Sequence, residues 1–192
     1  MAHMSQLMYP TEIYCPNSPA MKRGAFTLSL DCEGLWGMAD QPKLINSGLI
    51  SDIALAKAYE LIYKVLDANN VKATCAFVSA FAAGEGALGE ESHLLRELAR
   101  REPTWFSHFD RAMQCKNMDG WFGNLYYRKL RSAGHEMGWH GATHLSLADS
   151  TASESIDLEL QLAKNLNATL SESPQTLIFP RNLVGHLDEL QK

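Results

Sequence analysis

Asp31 and Glu33 stand two positions apart in LSLDCEGLWG, where an apolar run gives way to Gly and Trp. In an extended chain both side chains leave the same face. Two carboxylates at a strand end are commonplace and most often only solvated, so a cation beside them is what would make a site. Ligands for a metal ion are present. His140 and His144 lie four apart in GHEMGWHGATH, a spacing that lets both imidazoles face one ion from a turn of helix or a tight loop. Among seven histidines an H-x3-H pair arises readily by chance. A third segment, FPRN, adds Arg181. Each feature alone is ordinary. Three strand ends that together bear the polar types of a hydrolytic metal site are much less so.

The histidine pattern differs from that of a zinc peptidase helix. His135-Glu136 opens like H-E-x-x-H, but the next histidine is His140, one residue too late. His135, after Gly134 and at a strand start, reads as a buried structural residue.

The elements that must position these groups alternate in type. Residues 24–30 (GAFTLSL) read as a strand, with Phe26, Leu28 and Leu30 on one face and Thr27, Ser29, Asp31 and Glu33 on the other. A helix follows over residues 51–70, capped by Ser51 or Asp52, with Leu55, Ala58, Ile62 and Val65 as its stripe. Residues 72–81 form a second, more apolar strand, and the Gly-rich run at 82–91 a loop. A short helix over 92–101 precedes an aromatic region, 102–124, with no clear period. Further on come a helix over 120–133 stopped by Gly134, a strand over 135–139, a long helix over 152–170, a strand over 176–179 and a helical last dozen residues. The alternation predicts an α/β fold with about four parallel strands joined by helical crossovers. In such folds the chemistry gathers at the carboxyl ends of the strands.

Composition excludes some classes. A net charge of −5 gives no electrostatic reason to expect nucleic acid or an anionic membrane. The basic run Arg128 to Arg131 sits in a helical pattern and reads as a solvated face. No stretch approaches the roughly 18 apolar residues of a membrane span. The N-terminus lacks the basic start and apolar core of a signal peptide, which predicts a cytoplasmic protein. Four scattered cysteines, none in a C-x-x-C pair, fit reduced thiols there. Residues 1–20 read as a tail.

LSLDCEG, GHEMGWHGATH and FPRN, in this order and at these separations, resemble the first three motifs of the polysaccharide deacetylase family, the NodB-homology group of carbohydrate esterases. The family usually has two adjacent Asp in the first motif; D-x-E resembles a divergent branch that includes enzymes of cell-surface polysaccharide synthesis. The second motif there is H-[ST]-x-x-H, so Gly141 departs from it, and P-R-N matches the usual R-x-P-Y loosely. The resemblance runs from about Met21 to the end, so residues 21–192 are expected to be one deacetylase-like domain.

The resemblance implies a distorted (β/α) barrel. It implies that Asp31 is the catalytic base, that Glu33, His140 and His144 bind one divalent metal, zinc first, and that Arg181 orients Asp31. The implied reaction removes an N-acyl group from an amino sugar of a polysaccharide or its precursor. Two further strands and a general-acid histidine belong to the family pattern, whereas this sequence ends ten residues after Asn182. An incomplete barrel is therefore expected, with an open edge that favours self-association. His186 has no feature that makes it the missing acid. Two rivals remain: a non-catalytic metal- or carbohydrate-binding relic of the fold, and a non-haem iron oxygenase with the same two-His, one-carboxylate set.

Overall fold

The computed structural model describes residues 26–171 and 173–191; the expected tail and the first residues of the first strand lie outside them. Three parallel strands form the sheet in the order β1-β2-β3: β1 Ser29–Cys32, β2 Thr74–Phe77 and β3 Glu136–Trp139. Neighbours in the sheet are neighbours in sequence, each joined by helical crossovers as a parallel pair requires. The register aligns the strand ends, Cys32 beside Phe77 and Phe77 beside Trp139. One residue later the chain presents Glu33 after β1 and His140 after β3, at the same level and two strands apart. The row beneath runs Asp31, Ala76, Gly138, so small residues leave the space beside Asp31 open.

The fourth expected strand, 176–179, survives as one parallel bridge between Leu177 and Trp139, fixed by Trp139 N–H to Thr176 O and Ile178 N–H to Trp139 O. Three strands and a bridge among the described residues do not close a barrel. The second strand is also shorter than expected. Its last residues instead enter α3 (Ser79–Ala83), followed by α4 (Glu85–Glu90), where a loop was expected. A short α1 (Pro42–Ile45) precedes α2 (Asp52–Ala68), which starts as anticipated: the Ser51 hydroxyl accepts from the Ala54 N–H at 3.2 Å.

The stripe of α2 matches the expected one in part: Leu55 and Ile62 pack against the core. Tyr59 and Leu66 are buried, whereas Ala58 and Val65 are exposed. The aromatic ring sets this rotation, because Tyr59 stacks on Tyr126 at 4.4 Å and lies near Phe77 and Phe81. α5 (Ser92–Arg101) lies at its expected place. The unassigned aromatic region forms α6 (Pro103–Cys115), which buries Trp105, Phe106 and Phe109. α7 (Asn124–Ser132) buries Tyr127 and Leu130 and leaves Arg128, Lys129 and Arg131 exposed, with Gly134 just beyond it at φ +77°. α8 (Ser153–Thr169) is the long helix expected over 152–170. The helical end reduces to α9 (Leu187–Leu190). Among the described residues no helix is long and apolar enough to cross a membrane.

Candidate metal centre

Glu33 leaves β1 into a 3-10 turn, Gly34–Met38, and that turn is held by an aromatic cluster. Trp36 is fully buried, 4.6 Å from Phe109 and 5.0 Å from Trp121 by ring centroids, and its indole N–H donates to Trp121 O at 3.0 Å. Gly34 has φ +53°, and a Cβ there would meet Gly120 O at 2.6 Å. The turn is thus glycine-specific, and the Trp that follows fixes the direction in which Glu33 points.

His140 extends the β3 ladder, its N–H donating to Phe77 O at 3.0 Å. Its Nδ1 lies 2.8 Å from Ile178 O. A carbonyl can only accept, so Nδ1 carries a proton, and in the neutral ring Nε2 holds the lone pair that a metal would take. The chain then folds back sharply. Gly141 has φ +80° and His144 φ +62°, and the carbonyls of Gly141 and Ala142 accept from Ser79 and Ala80 N–H in the first turn of α3, each at 2.9 Å. This loop brings His144 Nε2 to 3.1 Å from His140 Nε2.

Glu33 Oε2 completes the cluster, 3.0 Å from His144 Nε2 and 3.4 Å from His140 Nε2. All three ligand atoms lie within 4.8 Å of one another. Ligands on a tetrahedral zinc ion, each about 2.0–2.1 Å from it, are about 3.3 Å apart. The observed spacings match that figure. Two neutral imidazoles and one carboxylate are also a donor set that zinc accepts while keeping a position for water. The residues present therefore fit a divalent metal. Burial works against the charge on Glu33, but hydrogen bonds from His140 and His144 outweigh it and hold the carboxyl down at about 2. Burial likewise opposes charge on His140, and Glu33 and the Ile178 carbonyl more than offset it, raising its pKa.

Asp31 is the most open member, with its side chain 48% exposed and Oδ2 3.8 Å from His140 Nε2. Arg181 was expected to hold Asp31, but the carboxylate it pairs with is Asp40, at 2.5 Å. It also lies over Trp105, 4.7 Å from the ring centroid. Trp105 in turn donates from its indole to Thr143 O at 3.1 Å, so Arg181, Trp105 and the histidine loop form one wall. Asp40 gave no sequence signal, lying in a loop without periodicity. Glu159 on α8 was also missed. It is wholly buried, and both carboxylate oxygens accept from Thr143, one from the backbone N–H and one from the hydroxyl, each at 2.8 Å. Burial pushes it up to about 7, against the lowering effect of those bonds. Its signal was available: a lone acid within the apolar stripe Ile156, Leu162, Ala163, Leu166.

His135 behaves as expected, buried at the start of β3 with Nδ1 accepting from the Ala73 N–H at 3.3 Å. Cys32 and Cys75 are buried free thiols and Cys115 is an exposed one.

None of the curated proteins compared with the chain matches it. The family model described as polysaccharide deacetylase matches residues 47–185, well over half of the sequence. That span contains His140, His144 and Arg181 and begins after Asp31 and Glu33, which join the site through the geometry alone. With its histidine pair on an α/β sheet and this match, the chain belongs to the polysaccharide deacetylase family.

Proposed function

We propose that the protein is a metal-dependent amidase that removes the acetyl group from an N-acetylated amino sugar in a polysaccharide or its precursor. The observation that carries this reading is the convergence of His140, His144 and Glu33 beside the open carboxylate of Asp31, at the strand ends of a polysaccharide deacetylase. We read the three-stranded sheet with its Leu177 bridge as the opening arc of a (β/α) barrel, and residues 21–192 as one domain. We read the location as cytoplasmic.

Glu33 Oε2 and the Nε2 atoms of His140 and His144 are the donors that would hold the metal, zinc first. Such a cation supplies a Lewis acid for the acyl oxygen and a water of lowered pKa. The chain's own groups do the rest. The Ile178 carbonyl keeps the proton of His140 on Nδ1, so that Nε2 faces the site. Asp31 belongs to no ligand set and stands open, so its carboxylate is the group that takes the proton of the attacking water. The same carboxyl can return that proton to the leaving nitrogen, and water plus amide then balance as acetate plus the protonated amine. Arg181, bound to Asp40 and stacked on Trp105, keeps a positive wall beside these acids without neutralising Asp31 directly.

The test is acetate release from N-acetylglucosamine oligomers by the zinc-loaded chain. Asp31→Asn is expected to keep zinc within a few-fold and to lose about 10²–10⁴-fold in turnover, the contribution of general base catalysis. Glycan binding with zinc present, but no acetate from any oligomer, would replace the enzyme reading with that of a binding module. Consumption of oxygen by the iron-loaded chain would favour the oxygenase reading instead.

A further inference from the structure

The loop from His140 to His144 has its two candidate ligands at its ends, and its backbone is gripped from both sides. Two of its carbonyls, Gly141 O and Ala142 O, accept from Ser79 and Ala80 in α3, and a third, Thr143 O, accepts from the Trp105 indole in α6. The N–H groups past Gly141 face α8. There Glu159 Oε1 accepts the Thr143 N–H and Oε2 the Thr143 hydroxyl, and the backbone N–H groups of Ala142 and Leu145 also bear on the carboxylate. The fit is close: a Cβ on Gly141 would come to 3.1 Å from Glu159 Oε1. Position 159 lies in the apolar stripe of α8, so a leucine there would fill the core and leave these loop donors unpaired. The loop also carries a cost that something must offset, since His144 is a non-glycine residue at φ +62°.

We propose that Glu159 is a positioning residue for the metal centre: by binding the N–H face of the 141–145 loop it holds His144 in its left-handed conformation and sets the separation of the two imidazole nitrogens. This rests on the reading of Glu33, His140 and His144 as metal ligands. Glu159 touches neither ion nor substrate and acts only through the loop. Thr143 is its counterpart, the one loop residue that meets both of its oxygens.

The experiment is titration of the full-length, metal-free chain with zinc against a competing chelator, together with the visible spectrum of the cobalt-substituted form, which reports ligand number and geometry. Glu159→Ala is expected to weaken zinc binding about 10- to 100-fold, the usual loss when a group supporting a ligand is removed, and to alter the cobalt spectrum. The near-ultraviolet circular dichroism of the metal-free variant is expected to stay native. Thr143→Val, which deletes one hydrogen bond from the loop side, is expected to lose about fivefold. Glu159→Gln keeps the shape and one accepting oxygen, and is expected to recover part of the loss. Wild-type zinc affinity and an unchanged cobalt spectrum in Glu159→Ala would overturn the proposal. Should that variant not fold, Thr143→Val decides on the same two readings. A wild-type chain that takes up no zinc would instead sink the metal-site reading on which the inference rests.

Discussion

At the scale of the residue, reach decides the site. Glu33 and His140 leave strands that are not neighbours, so their backbones stand about 9–10 Å apart across β2. Their side chains nevertheless meet at 3.4 Å. The extra methylene of glutamate covers part of that span, and Glu33→Asp is expected to weaken zinc binding by about tenfold or more in a direct titration, the loss expected when a ligand set is imperfectly oriented. Glu159 gives a second test through pH. Burial raises its pKa from 4.5 to about 7, with the Thr143 bonds pulling the other way. A carboxyl whose folded value is raised contributes stability that is full below 4.5 and is lost as pH rises through about 7. The metal-free wild type is therefore expected to lose stability relative to Glu159→Gln between pH 4.5 and 7.5, by on the order of a few kcal/mol, in denaturant titrations at the two pH values. A constant difference between them would show that Glu159 does not titrate there.

At the scale of the element, the turn after β1 links core packing to chemistry. Gly34→Ala would force a side chain into a positive-φ position against the Gly120 carbonyl. It is expected to cost about 1–3 kcal/mol in urea denaturation and to weaken zinc binding as Glu33 shifts. Gly86→Ala is the control: its Cβ would meet nothing within 4 Å inside α4, and helix propensity favours it by about 0.5–1 kcal/mol. This scale also shows what could be read from the sequence. The starts and ends of α2, α5 and α8 were legible because caps and 3.6-residue periodicity are local. The start of α3 inside the strand expected over 72–81 was not, since its first turn is completed by contacts far along the chain, with Ser79 and Ala80 donating to Gly141 and Ala142. The Ala58 and Val65 part of the α2 stripe was misjudged for a related reason. Tyr59 finds its stacking partner in Tyr126, which no local pattern discloses.

At the scale of the whole molecule, consecutive parallel strands put three distant segments at one edge. Asp31, Glu33, His140 and His144 were legible as candidates because residue type and spacing are written in the sequence. Their mutual placement depends on the register that aligns Cys32, Phe77 and Trp139. Arg181 was legible and its partner Asp40 was not: the pairing spans 141 positions and rests on how the last bridge folds over the sheet. The core also orders thiol reactivity. Cys115 is exposed, while Cys32 and Cys75 are buried on adjacent strands. Under native conditions iodoacetamide is expected to label Cys115 well before either of them, as read by peptide mass spectrometry. Equal rates would mean that the sheet opens readily.

The most direct measurement on the account as a whole is zinc stoichiometry by native mass spectrometry, for the wild type and for His144→Ala. The account predicts one zinc per chain in the wild type, lost in the variant while the fold is kept. No zinc in either, or equal zinc in both, would contradict it.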